Sequence, residues 1–225
     1  MRRVVSLVPS VTETLRAWGV EPIACTRFCE QPDLPHVGGT KDPDVSAIAD
    51  LAPDLVVLDE EENRREDHDA LVDAGLAVHV LAVRDLAHLD DEMVGLADAV
   101  GARWEPIGRI SEPAVERRAF VPIWRRPWMA LGEPTYGSAV LRALGIANVA
   151  AADGAYPELD LDAAASRSVD LVIAPSEPYP FAERHRAELG AVAPVVFIDG
   201  RDLLWWGVRT HRALPRLARI LAAPQ

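Results

Sequence analysis

The chain repeats itself, and that limits what it can fold into. "LRAWGVEPIA" at residues 15–24 returns as "LRALGIANVA" at 141–150, and "PDLVVLDEE" at 53–61 is echoed, in the same order, by "VDLVIAPSE" at 169–177. Two ordered pairs imply two similar lobes. In each, a helix ends at a glycine, Gly19 or Gly145, where a left-handed cap belongs. The second motif of each pair is a short apolar, β-branched run closed by acidic and polar residues. That pattern suits a parallel strand buried on both faces that emerges into a loop.

The periodicity predicts α/β lobes, each a parallel sheet flanked by helices. In the first lobe the expected strands are 3–8, 22–26, 54–59 and 77–83, with helices from Thr12, over 45–51 and over 65–75. Leu86, Leu89, Met93, Leu96 and Val100, spaced by 3, 4, 3 and 4, mark one face of a single helix bridging the lobes. Gly and Pro then break the pattern. The second lobe is predicted to carry strands at 170–175 and 194–199, helices over 138–145, 161–167 and 181–190, and a last helix over 208–222. The expected division is residues 1–84, a bridging helix and linker at 85–117, and 118–225, with the ligand cleft between the lobes.

At 225 residues and 49% hydrophobic content, the chain can bury a sizeable core. A net charge of −12, with no basic stripe, argues against nucleic acid as a partner. The short, interrupted apolar run after the first arginines fits neither a secretory leader nor a membrane span, so a cytoplasmic protein without membrane insertion is expected. Cys25 and Cys29, the only cysteines, match no zinc spacing and are read as reduced thiols.

Ligands of open α/β sheets sit beyond the carboxyl ends of the strands. Seven of the thirteen aromatic residues fall on such loops: Phe28, Trp124, Trp128, Tyr136, Tyr179, Trp205 and Trp206. Together they suggest an aromatic-walled pocket for a sizeable organic ligand. Adjacent residues point different ways, so one of Trp205 and Trp206 is expected to pack. Trp205 continues the apolar run "LLW", which leaves Trp206 as the member facing ligand. Glu60, Glu133 and Glu177 stand at the same strand ends, with Lys41 nearby, where carboxylates could hold a metal or the rim of a chelate. Which metal is unknown. "VGGTKDP" lacks the spacing of a phosphate loop and reads as a tight turn; Ser10 lacks the elbow of a nucleophilic serine.

"RVVSLVPSVTETLRAWGV", "CTRFCEQP", "LPHVGGTKDPDVSAIADLAPDLVVLDEEENRRE" and "VDLVIAPSEPYPF" together resemble the helical-backbone (class III) periplasmic-binding-protein-like family. Within it the chain is most similar to cobalamin- and iron-chelate-binding members. The resemblance implies a ligand held between two α/β lobes bridged by one helix. It places Pro9, Ser10, Phe28, Cys29, Thr40, Lys41 and Glu60 at the ligand, and makes exposed Glu66 a docking residue for a membrane transporter if the protein is exported. Where a tryptophan stacks on corrin in the cobalamin binder, this chain has Asp59.

The expected function is a non-catalytic, cytosolic solute-binding protein for a corrinoid, haem, iron chelate or comparable metal chelate, with no cofactor required. The alternative is a cytosolic enzyme on the same scaffold that processes a metal-bearing ligand with cleft carboxylates or Cys29. Fold does not separate the two.

Overall fold

The computed structural model describes residues 2–108 and 117–222. Residues 109–116, part of the expected linker, lie outside the described residues. By their internal contacts the residues form two units. The first comprises Met1–Val83, His88–Pro106 and Trp206–Arg209, and the second Arg84–Ala87, Ile107–Trp205 and Thr210–Gln225.

The first unit runs β1 (Val4–Ser6), α1 (Pro9–Ala17), β2 (Ala24–Cys25), β3 (Gly38–Gly39), β4 (Asp42–Pro43), α2 (Val45–Asp50), β5 (Leu55–Asp59), α3 (Arg65–Asp73), β6 (Val78–Leu81) and most of α4 (Leu86–Val100). Its main sheet has the order β2-β1-β5-β6, and every pairing is parallel. All five residues of β5 are buried, which is why its sequence shows no alternation. Val5, Leu7, Val56 and Leu58 from the strands pack with Ile48 of α2 and Leu71 of α3. Helix α4 buries Leu89, Met93, Leu96 and Val100 of the face read from the sequence.

The second unit contains β7 (Arg117–Phe120), β8 (Pro122–Trp124), β9 (Met129–Ala130), α5 (Tyr136–Ala143), β10 (Ile146–Asn148), α6 (Leu161–Ala165), β11 (Leu171–Pro175), α7 (Arg186–Leu189), β12 (Val195–Ile198), α8 (Gly200–Leu204) and α9 (Thr210–Leu221). Its sheet, β10-β7-β11-β12, is again fully parallel. Both sheets therefore place their strands in the same order along the chain: second, first, third, fourth.

The repeat extends beyond the matched letters. Arg3 reaches the carbonyls that end α2, Leu51 O at 2.6 Å and Ala52 O at 3.3 Å, while its own N–H donates to Asp54. Arg118 does the same after α6, to Arg167 O and Ser168 O, both at 3.0 Å, with its N–H on Asp170. These contacts satisfy helix-end carbonyls that would otherwise lack partners. Asp44 and Asp160 cap α2 and α6 by accepting from the backbone three residues on, at 2.9 and 2.7 Å. Gly19 and Gly145, both at φ 73°, end α1 and α5. What differs is where each unit inserts a hairpin: β3–β4 after β2 in the first, β8–β9 after β7 in the second.

Two local expectations change. The segment over 181–190 forms a short 3-10 turn followed by the four-residue α7, not one helix. Residues 199–207, read as a loop, contain α8, because Asp199 accepts from Arg201 N at 3.0 Å and caps it.

Candidate functional site

In the first unit the carboxyl ends of β1, β2 and β5 lead into loops, and the β3–β4 hairpin lies in the connection that follows β2. After β1, Pro9 supplies the first helical position of α1, where its missing N–H costs nothing. Ser10 is buried in that turn, and its carbonyl accepts from Thr14 Oγ1 at 2.8 Å. After β2, residues 26–29 form a turn closed by Cys29 N–H on Thr26 O at 3.1 Å. Phe28 stands out from the turn, 50% exposed, with the Arg27 guanidinium 4.8 Å from its ring centroid and Arg27 paired to Asp42.

Asn63 holds the loop after β5 and the β3–β4 hairpin together, and sequence reasoning missed it. Its side chain is buried, accepts from Asp59 N–H at 2.9 Å, and donates to Thr40 O at 2.8 Å and Leu7 O at 3.3 Å. One amide thus ties the ends of β1 and β5 to the β3–β4 hairpin. An Asn four residues after a strand-ending Asp is a turn signal that could have pointed to it. The Asp59 carboxylate accepts from the N–H groups of Glu61 and Glu62 at 2.9 and 3.1 Å. Burial, offset in part by those two bonds, pushes its pKa up to about 7. Lys41 Nζ donates to Glu61 O at 2.6 Å, Glu60 is exposed, and Thr40 is buried as part of this anchor. Asp59, Glu60, Asn63, Arg64, Arg65 and His68 line a recess of about 310 Å³ at this end of β5. Glu66, in the first turn of α3, is exposed.

In the second unit the β8–β9 hairpin and the loop after β11 build an aromatic cluster. Trp124, 44% exposed, meets Tyr179 edge-on at 5.7 Å; Trp128 stacks on Phe181 at 6.0 Å; Tyr179 and Phe181 lie 4.7 Å apart. Buried His185 packs edge-on against both Tyr179 and Phe181. Its Nδ1 accepts from Ala182 N–H at 3.1 Å, which leaves the proton on Nε2, facing the Tyr179 hydroxyl at 3.5 Å. Arg125 fixes the hairpin to α7 through a two-pronged bond to Glu188 at 3.0 and 3.1 Å.

Several residues expected at the ligand are buried or paired within the protein. Cys29 is 1% exposed, beneath its turn and not on it. Tyr136 is buried at the start of α5, its hydroxyl 2.9 Å from Thr210 Oγ1, and burial raises its pKa. Glu133 pairs with Arg142 at 2.8 Å, and Glu177 packs its backbone against Gly200. Among the described residues no group of three His, Cys, Asp or Glu side chains could hold a metal ion. The tryptophan pair divides, but in the reverse sense: Trp206 is 5% exposed and Trp205 half-buried. Residues 206–209 belong to the first unit, where Val208 N–H donates to Thr14 Oγ1 and Arg209 grips Glu13 at 2.6 and 2.8 Å. Gly207, at φ 97°, comes so close to Thr14 that a Cβ would collide with it.

The fold is that of the helical-backbone periplasmic binding proteins, as the sequence resemblance implied. Residues 4–105 match the sequence model of a family described as periplasmic binding protein. Among solved structures, the periplasmic haem-binding protein BhuT, in complex with two haems, is similar over 98% of this chain and 97% of its own, at 23% identity and a TM-score of 0.81. The periplasmic haem-binding protein HutB of Vibrio cholerae covers 99% of both chains at 18% identity and TM-score 0.79. The periplasmic vitamin B12 binding protein BtuF of Vibrio cholerae covers 98% of this chain and 96% of its own, at 17% identity and TM-score 0.77. No curated sequence matches the chain. These matches overturn the cytoplasmic assignment, because the family and the similar structures are periplasmic. An export leader is a removable address with no part in the fold, so composition is a poor guide to location.

Proposed function

We propose that the chain is a periplasmic solute-binding protein that captures a planar metal chelate, a haem or a corrinoid, on the loops at the carboxyl ends of its sheets. The observation that carries this reading is the exposure of two large rings, Phe28 at 50% and Trp124 at 44%, at those strand ends. An aromatic ring left in water forgoes the free energy of burying its apolar area; stacking on a flat ligand recovers it. Both rings stand on anchored backbone, Phe28 on the closed turn of residues 26–29 and Trp124 on a hairpin tied down by Arg125 and Glu188. Preorganisation of that kind lowers the entropy lost on binding. The structures similar over nearly the whole chain include binders of haem and of vitamin B12, which supports the ligand class. Glu66, exposed in the first turn of α3, takes the docking role toward a transporter in this reading.

The test is titration of ligand-free protein with haemin and with cyanocobalamin, followed by absorbance. A stoichiometric spectral shift without change in the bound compound is expected for one of them. Phe28→Ala and Trp124→Ala should each weaken binding roughly ten- to a hundredfold, which corresponds to about 1.4 to 2.7 kcal/mol, with melting temperatures near the parent's. Absence of a stoichiometric shift with both compounds refutes the ligand class, and a changing product would indicate an enzyme.

A further inference from the structure

In the first unit the backbone leading to Phe28 is zipped to the segment that forms the β3–β4 hairpin. Cys25 N–H donates to Pro35 O at 3.0 Å, Val37 N–H to Cys25 O at 2.9 Å, and Arg27 N–H to Gly38 O at 2.9 Å. The turn of the hairpin is anchored in its own right by the bond from Asn63 to Thr40 O. From β4, Asp42 reaches back to Arg27, and both its carboxylate oxygens accept from Arg27 Nη2, at 2.9 and 3.1 Å. The guanidinium held in this way lies over the Phe28 ring, 4.8 Å from its centroid.

Sequence adjacency alone does not produce this stack. In extended chain neighbouring side chains point to opposite sides, so the contact needs both the turn of residues 26–29 and a partner that holds the guanidinium over the ring. Stability does not account for it either. The Arg27 and Asp42 side chains are 48% and 58% exposed, and ion pairs and cation–π contacts in such positions contribute little. The hairpin nevertheless leaves room for the pair. Gly39 is outside the left-handed region, so its backbone does not call for glycine. A Cβ there would instead run into the Asp42 carboxylate and come within 2.7 Å of Arg27 Nη2. The missing side chain lets carboxylate and guanidinium meet.

We propose that Arg27, clamped by Asp42 in the space left by Gly39, is the positioning residue for Phe28: it covers one face of the ring and presents the other for stacking. The inference rests on the reading that Phe28 stacks on a planar chelate, and it adds which face is used and what holds it. With one face under the guanidinium and the other open, the ring is half exposed, as observed. A ring fixed before the ligand arrives loses less rotational freedom on binding. Because Asp42 neutralises Arg27, the pair orients the ring without adding net charge beside the ligand.

Two arms test this, one without ligand. In the NMR spectrum of the ligand-free full chain, the Arg27 side-chain protons should show upfield ring-current shifts and cross-relaxation with the Phe28 ring. Phe28→Ala should abolish both signals, and Asp42→Asn and Gly39→Ala should each weaken them while the melting temperature stays near the parent's. Absence of the signals in the parent, or their full persistence in both clamp variants, overturns the clamp. In the second arm, haemin and cyanocobalamin are titrated into the same proteins. Asp42→Asn and Gly39→Ala should each weaken binding about two- to fivefold, and Asp42→Asn should add no further loss to Phe28→Ala. Parent-like affinity in both clamp variants, with a loss in Phe28→Ala, overturns the positioning role alone. Tighter binding by Asp42→Asn also overturns it, because a freed Arg27 would then be pairing with the ligand itself. No stoichiometric shift with either compound, or parent-like affinity in Phe28→Ala, overturns the stacking reading and this role with it.

Discussion

Replacing Trp206 by Ala tests how the first unit is held, and its size follows from burial. The side chain is 5% exposed, so nearly all of roughly 200 Å² of ring surface leaves water on folding. At about 25 cal/mol per Å² that is worth about 5 kcal/mol, and allowing for a compact unfolded chain brings it to about 3 to 4. A large cavity left behind keeps the loss in the range of about 3 to 5 kcal/mol found for Trp or Phe truncations. For a chain of this length the melting temperature should fall by roughly 6 to 20 °C. Trp205, half-buried at the end of α8, should lose about half as much on truncation. Differential scanning calorimetry measures both variants, and haemin titration below the transition reports whether the folded state still binds. Near-parent melting of Trp206→Ala together with a large loss of affinity would refute the reasoning and restore Trp206 as a ligand contact.

Asn63→Ala removes three hydrogen bonds and leaves buried partners behind, with an expected loss of about 2 to 4 kcal/mol in urea unfolding; a loss under about 0.5 would show that the loops do not depend on it. Asp59 should make stability pH-dependent. Its folded pKa, about 7, lies above the unfolded value near 3.9, so its contribution is fully present below about pH 4 and is lost as pH rises through 7. Melting temperature should therefore climb as pH is lowered from 8 to 5, and Asp59→Asn, which keeps an acceptor for the Glu61 and Glu62 amides, should flatten that rise. An equal slope in parent and variant would assign the dependence to other groups.

Much of the fold was legible because it rests on short-range chemistry. Buried parallel strands such as β5 and β11 are apolar throughout, α4 shows its face at helical spacing, and Gly19 and Gly145 mark helix ends wherever the chain goes next. A duplicated unit prints these local signals twice, so two sheets of one strand order could be expected before any coordinates. The strand-end loops followed from the topology of parallel sheets. What tertiary structure alone decided is which side chains on those loops meet solvent. Phe28 and Cys29 are neighbours in sequence, yet the turn of residues 26–29 sends one ring out at 50% exposure and one sulfur in at 1%. Trp205 continues an apolar run and looked like the residue to bury. In the structure Trp206 is 5% exposed, and residues 206–209 group with the first unit, with Gly207 set against Thr14. Asn63 acts through carbonyls 23 and 56 residues away in sequence, a separation that no local pattern records. Helix and strand signals arise among neighbours along the chain, whereas burial is set by contacts that exist only after distant segments have met.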